Sequence, residues 1–111
     1  MIHQTIKKMQ KQNPFEVFQK ESPEVFDGFN GLVESLMNTK ALDPKTKQLI
    51  YLGIKAAQGD QTAVMFHVPM AKKLGASRDE IKETILLTLT VCGLKGINTC
   101  LAEALDIYDH S

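Results

Sequence analysis

The chain carries a series of helix-start signals, and they constrain its fold more than any other feature. Three of them place a capping residue directly before a proline, at Asn13-Pro14, Ser22-Pro23 and Asp43-Pro44. Proline suits the first position of a helix because the N–H it lacks would have no partner there. A fourth signal, the stretch Ser77-Arg78-Asp79-Glu80, has the pattern of a capping box. No Asn-Gly or Asp-Gly pair separates alternating apolar runs, so the sequence predicts an all-α fold.

Apolar residues between these signals recur at spacings of three and four, which is typical of one helix face. The clearest such set follows Pro23 and comprises Val25, Phe26, Phe29, Leu32, Val33, Leu36 and Met37. Gly59 and Gly75 interrupt the pattern, and Gly75 is a candidate left-handed C-cap. From Ile85 onward the sequence is apolar on nearly all sides, which indicates a helix that is buried or faces a partner subunit. We therefore expect an oligomeric bundle of five to six helices.

Length and composition narrow the class of protein. The 111 residues predict a single domain over 1–111. Lys plus Arg and Asp plus Glu number 13 each, and Trp is absent, so neither the charge nor the aromatic content favours nucleic-acid binding. The N-terminus lacks the apolar run of a signal peptide, and the longest apolar stretch, Ile85–Leu94, is about half of a membrane span. We expect a soluble, cytoplasmic protein with no membrane partner.

The stretch from Lys47 to Glu80 carries the functional signal. Its centre reads Gly-Asp-Gln-Thr-Ala-Val-Met-Phe-His over residues 59–67, and Lys-Lys-Leu-Gly-Ala-Ser leads into the capping box. This stretch resembles the carboxymuconolactone decarboxylase and alkylhydroperoxidase D family, over roughly Leu42 to Tyr108, whereas the helices of residues 1–41 are less diagnostic. The resemblance implies a helical bundle of the alkylhydroperoxidase D-like type that assembles as a homotrimer or homohexamer.

The thiol-peroxidase branch of that family uses a Glu, a Cys-x-x-Cys pair and a His four residues after the second Cys. At the corresponding positions this chain has Gln48, Asp60, Ala63 and His67, so only the histidine matches. Peroxide reduction of that kind needs a thiolate and a second, resolving thiol. The resemblance therefore favours the decarboxylase branch, which does not use the cysteine pair.

In that branch, the resemblance implies a decarboxylase or isomerase acting on a small organic acid or lactone, without a cofactor. His67 is the candidate general acid/base, because an ordinary imidazole titrates near neutral pH. Gln48 and Asp60 are the candidate substrate-binding residues. Each also has a plain structural interpretation: His67 as a core histidine, Asp60 as a helix N-cap and Gln48 as a residue of an exposed helix face.

Two alternatives remain open from the sequence. The first is a divergent peroxiredoxin-like antioxidant protein using Cys92 or Cys100, although small core hydrophobes are the default interpretation of both cysteines. The second is a non-catalytic oligomeric binding protein that kept the fold. The three histidines show no metal-ligand spacing, so no metal site is predicted.

Overall fold

The computed structural model describes residues 13–111, and this part of the chain contains helices and no strand, which confirms the all-α prediction. No helix within it is long and apolar enough to cross a membrane. The chain divides into two compact units, with the boundary between Thr39 and Lys40. The elements are α1 Pro14–Glu21, α2 Pro23–Met37, α3 Pro44–Ala57, α4 Gln61–Lys73, α5 Arg78–Leu86, α6 Leu89–Cys92, a π-helical turn Ile97–Leu101 and α7 Ala102–Asp109.

Most of the predicted caps form as the sequence indicates. The carboxylate of Asp43 accepts a hydrogen bond from the Thr46 N–H at 2.7 Å at the start of α3. At α5 the capping box closes in both directions, with the Glu80 N–H donating to Ser77 Oγ at 3.0 Å and the Ser77 N–H donating to Glu80 Oε1 at 2.8 Å. Ser22 differs, because its side chain makes no capping bond to α2. Its backbone N–H instead donates to the carbonyl of Phe18, which links α2 to α1.

The first unit pairs α1 with α2 through aromatic side chains. Phe18 lies edge-on to Phe26, with ring centroids 5.3 Å apart, and 6.0 Å from Phe29. Neither helix contains a fully buried residue. The apolar face predicted for α2 is therefore present, but much of it is exposed in the single chain, as at Leu32, whose exposed fraction is 56%.

The second unit, α3 to α7, contains the hydrophobic core. Its fully or almost fully buried apolar residues are Leu52, Ala56, Val64, Val68, Ala71, Ala76, Ile81, Ile85, Cys100 and Ala104. Helix α3 packs against α4 and α5, and α4 also packs against α7. Tyr108 holds the last helix, α7, in place. Its hydroxyl donates to the carbonyl of Ala76 at 2.8 Å, and its ring lies under the ammonium of Lys72.

The helix expected after Ser77 is interrupted at residues 87–88. There the Thr88 hydroxyl donates to the Ile85 carbonyl at 2.6 Å, and α6 begins one residue later. Gly96 packs on this break, since a Cβ at Gly96 would lie 2.7 Å from Thr88 Oγ1 and 3.1 Å from the carbonyl oxygen of Ala56. By contrast, a Cβ at Gly53 would make an ordinary 3.4 Å contact. Of these two glycines, only Gly96 lies too close to its neighbours for a Cβ to fit without a shift.

In the apolar segment that follows Ser77, only the first part is buried. Ile81 and Ile85 are fully buried, whereas the exposed fractions of Leu87 and Val91 are 68% and 79%. The expectation of burial from Ile85 onward is therefore wrong for the single chain, because the break turns the later residues to the surface. The other interpretation, a face for a partner subunit, stays a prediction.

Candidate functional site

His67 lies on α4 at the edge of the core. Val64 and Val68, on the same helix, are fully buried, whereas His67 is half-buried. Its Nδ1 lies 2.9 Å from Oε1 of Gln48 on α3. A carbonyl oxygen can only accept a hydrogen bond, so Nδ1 carries the proton and donates it. Nε2 of the neutral ring then keeps its lone pair and is the nitrogen available for chemistry.

Two aromatic side chains hold the plane of this imidazole. The ring of Tyr51 stacks on His67 with centroids 5.5 Å apart and an interplanar angle of 22°. Phe66 meets the same ring edge-on, with centroids 5.4 Å apart and an angle of 80°. Offset-stacked and edge-to-face pairs are the favoured aromatic arrangements. With the bond to Gln48, they leave the imidazole little freedom to rotate.

Asp60 occupies the N-cap of α4, as its structural interpretation predicts. Its Oδ1 accepts from the Ala63 N–H at 3.1 Å, and its Oδ2 lies 3.7 Å from Nζ of Lys55 on α3. Asp60 and His67 are two helical turns apart, about 10 Å along the axis, so they lie at opposite ends of one site. We call the five side chains that line it the His67 strip: Gln48, Tyr51, Lys55, Asp60 and His67.

The environment of the strip keeps His67 neutral. Partial burial lowers the pKa of His67 below its ordinary value of 6.5, since the charged ring loses hydration. The ammonium of Lys55 lowers this pKa further, and the carboxylate of Asp60 opposes both effects to a smaller extent. At neutral pH the imidazole is therefore mainly an uncharged base.

The turn between α3 and α4 is fixed by the π-helical turn. Gly59 has a φ of +69°, and a Cβ there would lie 2.9 Å from Cε of Lys95. The Gln61 side-chain amide donates to the Thr99 carbonyl at 3.0 Å. This contact joins the first residue of α4 to the π-helical turn. The turn that carries Asp60 is thereby held in place.

The remaining candidates lie elsewhere. Cys100 is buried in the core, and Cys92 is half-buried with its thiol 3.5 Å from the Thr88 carbonyl; both are free thiols. Ala63 has no oxidisable group, so the strip offers no thiol to His67. Among residues 13–111 no group of three or more His, Cys, Asp or Glu side chains is placed to hold a metal ion.

Tyr51 and Lys55 are not family positions, so the resemblance did not single them out. The missing signal was their spacing. Gln48, Tyr51 and Lys55 follow one another at intervals of three and four, which places them on one face of α3. Because α3 turns Gln48 towards His67, it also places Tyr51 and Lys55 on that side.

Two cavities of the second unit lie apart from the strip. One is an open apolar groove of about 460 Å³, lined by α3, α5 and α6, with Ile54 and Leu87 on its walls. The other, about 320 Å³, lies between Asp43 and Gly75. His67 lines neither of them. The strip is a partly buried surface of the single chain that belongs to neither cavity.

Comparisons with known proteins agree with this fold. The family model of the carboxymuconolactone decarboxylase family matches residues 23–106. Two uncharacterized proteins of Methanocaldococcus jannaschii are similar to the chain over 79 residues each. One is 30% identical, covering 70% of this chain and 76% of the relative, and the other is 28% identical, covering 71% and 74%.

Solved structures are similar as well. The apo form of a carboxymuconolactone decarboxylase family protein from Legionella pneumophila is 32% identical, with a TM-score of 0.78 over 94% of this chain and 90% of that one. A protein from Burkholderia xenovorans LB400, assigned to the carboxymuconolactone decarboxylases, is 22% identical, with a TM-score of 0.82 over 89% and 77%; this likeness shows the fold alone.

The family match begins at residue 23, so it includes α2 and extends beyond the Leu42 boundary expected from the sequence. It ends at residue 106, within α7. The match therefore spans α2 to α6, the π-helical turn, the first part of α7 and every residue of the His67 strip. The chain belongs to the carboxymuconolactone decarboxylase family.

Proposed function

We propose that this protein is a cofactor-free enzyme of the decarboxylase or isomerase type, acting on a small organic acid or lactone with His67 as general acid/base. The observation that carries the proposal is the hydrogen bond from His67 Nδ1 to Gln48 Oε1, 2.9 Å long. It fixes one tautomer and leaves Nε2 as the nitrogen that exchanges a proton with a substrate. A base and an orienting partner within hydrogen-bond reach form a catalytic arrangement.

The chemistry needs one mobile proton. When CO2 leaves an acid, the electron pair of the broken carbon–carbon bond stays on the substrate, and a proton must reach a carbon atom to complete the reaction. A double-bond shift likewise removes a proton from one carbon and returns it to another. Nε2 of His67 serves both steps, because its lowered pKa leaves the lone pair free and makes the protonated ring a ready donor.

Gln48 has a different part in this proposal from the one expected from the sequence. Its exposed fraction is only 6%, and its carbonyl oxygen faces His67. We therefore treat Gln48 as a positioning residue for the imidazole. Substrate contact by Gln48, and by Asp60 at the other end of the strip, stays a prediction.

The test is His67→Gln assayed on a panel of small carboxylic acids and carboxylated unsaturated lactones, with His110→Gln as the control. Loss of a general acid/base should lower turnover by about 10²–10⁴-fold, whereas the exposed His110 should be replaceable. Wild-type activity should also fall on the acidic side of the profile, at a pH below 6.5, as His67 becomes protonated. Unchanged turnover in His67→Gln would reject the proposal.

A second candidate is a binding protein that kept the fold without catalysis. The observation that favours it is the absence of His67 from the walls of both cavities described above. An oligomeric crystal structure separates the two candidates. A second subunit that encloses Nε2 of His67 in a pocket would favour the enzyme, and a solvent-exposed or occluded Nε2 would favour the binding protein.

A further inference from the structure

The ion pair at one end of the His67 strip is not used by the proton chemistry proposed for His67. Lys55 and Asp60 lie two helical turns from Gln48 and His67 respectively, about 10 Å along each helix. All four side chains nevertheless belong to the same pair of helices, and Lys55 is close enough to influence the pKa of His67. The strip therefore has a charged end and an imidazole end.

The surface between these ends is hydrocarbon apart from the hydroxyl of Tyr51. Tyr51 stands between Gln48 and Lys55 on α3 and presents its ring to His67. Ala63, half-buried, stands between Asp60 and His67 on α4 and presents only a methyl group. A hydrocarbon lying along this surface would contact an aromatic ring and a methyl group, and would cover no polar atom of Ala63. The middle of the strip thus suits the apolar body of a ligand.

The ammonium of Lys55 is only loosely engaged. Its distance of 3.7 Å from Asp60 Oδ2 exceeds that of a charge-assisted hydrogen bond, which is about 2.7–2.9 Å. The side chain is 37% exposed and carries three N–H donors. It can therefore contact a second carboxylate without first breaking a short bond to Asp60.

The charges of the strip also limit the ligand. Lys55 contributes one positive charge and Asp60 one negative charge, and the imidazole is uncharged at neutral pH. One carboxylate placed at Lys55 is attracted, whereas a second carboxylate at the far end of the same ligand would meet the uncharged, half-buried imidazole and the ring of Tyr51 and no cation. A single carboxylate is thus favoured over two.

We propose that Lys55 is the anion-recognition residue of this site. The site then takes small acids with one carboxylate on an apolar chain of about four to six carbons. This length is set by the roughly 10 Å between the charged end and the imidazole end of the strip. The carboxylate lies at the Lys55 ammonium, and the chain runs over Tyr51 and Ala63 towards Nε2 of His67. This inference rests on the isomerase form of the proposed function, because a ligand whose single carboxylate lies at Lys55 has no carboxylate left to lose beside His67, where only a double-bond shift can then occur.

The experiment measures binding by NMR with hexanoate as the probe, following the Ala63 methyl and His67 ring signals. Lys55→Gln should weaken hexanoate binding by tenfold or more, and Lys55→Arg, which keeps the charge, should stay within about threefold of wild type. Lys82→Gln is the matched control, because Lys82 is 43% exposed and pairs with an aspartate at 3.1 Å on α5. It should leave binding unchanged.

Two further comparisons test the ligand class. Hexan-1-ol, which lacks the carboxylate, and adipate, which carries two, should each bind at least tenfold more weakly than hexanoate. Equal binding of hexanol, or wild-type affinity in Lys55→Gln, would overturn the inference. So would an equal loss in Lys95→Gln, because the anion would then be held by the α3–α4 turn as a whole.

The experiments can reject the proposed function and the role of Lys55 independently of each other. If His67→Gln retains full turnover while hexanoate binding still depends on Lys55, the proposed function is wrong and the anion site stands. If His67→Gln loses turnover while Lys55→Gln keeps wild-type affinity for hexanoate, the catalytic proposal stands and the role of Lys55 is wrong. Thermal unfolding of each variant establishes that a loss of binding does not come from loss of the fold.

Discussion

Gln48→Glu should raise the pKa of His67, because it replaces a neutral acceptor by a negatively charged one at the same position. In the wild-type protein the amide oxygen accepts from Nδ1 at 2.9 Å, and partial burial lowers the pKa of the ring. A carboxylate in that place would favour the imidazolium, in the direction opposite to the burial effect. The variant thus tests whether the hydrogen bond controls the charge of the site.

The size of the effect follows from the distance. Two unit charges about 4 Å apart attract by about 4 kcal/mol at an effective dielectric constant of 20, which sets an upper limit of about three pH units. His67 is only half-buried, so solvent screens part of this attraction. We expect the pKa of His67 in Gln48→Glu to exceed that of the wild-type protein by roughly one to two pH units.

The assay is an NMR titration of the histidine ring Cε1–H signals. His110 is a reference within each spectrum, because it is exposed and its own partner, Asp106, is unchanged by the substitution. Gln48→Leu is the companion variant, since it removes the acceptor without adding charge. An unchanged or lower pKa of His67 in Gln48→Glu would refute the geometry, because a carboxylate bonded to Nδ1 cannot favour the neutral ring.

The remaining predictions concern stability, measured by thermal and chemical unfolding at equal protein concentration. Gly96→Ala should lower the free energy of unfolding by about 1–3 kcal/mol, because its Cβ would overlap the carbonyl oxygen of a neighbouring helix and the buried hydroxyl of Thr88. Gly53→Ala is its matched control and should be neutral or stabilising by up to about 1 kcal/mol, since its Cβ has room and alanine favours helix; equal effects would contradict this packing. Tyr108→Phe should cost about 1–2 kcal/mol by leaving the buried Ala76 carbonyl without its donor, and no loss would show that the hydroxyl does not hold α7.

The sequence could predict much of the fold because its start signals act locally. Capping at Asp43 and Ser77 depends on residues three positions away, and the structure forms both caps. The left-handed glycine at Gly75 is local in the same sense. The break before α6 is different, because it depends on a Thr88 hydroxyl bond and on Gly96, which lies eight positions later in the chain. Spacing alone does not reveal such a contact.

The candidate site was predictable only in part, for a similar reason. The resemblance identified His67 and Gln48 as positions of interest, and the structure brings them into contact. It said nothing of Tyr51 or Lys55, whose importance comes from the packing of α3 on α4. Family positions indicate which residues to examine, whereas the partners of those residues depend on the helix pair.

Two of the three positions that differ from the peroxidase pattern, Gln48 and Ala63, limit the chemistry of His67 in the same direction. A glutamate at residue 48 would favour the charged imidazolium, whereas the amide of Gln48 accepts the same proton without stabilising a charge. A cysteine at residue 63 would give the histidine a thiol to activate, whereas Ala63 gives it none. Together they leave a neutral imidazole whose Nε2 has no thiol to activate within the strip. Under the proposed function, the group that exchanges a proton with Nε2 comes from a ligand bound between Lys55 and His67.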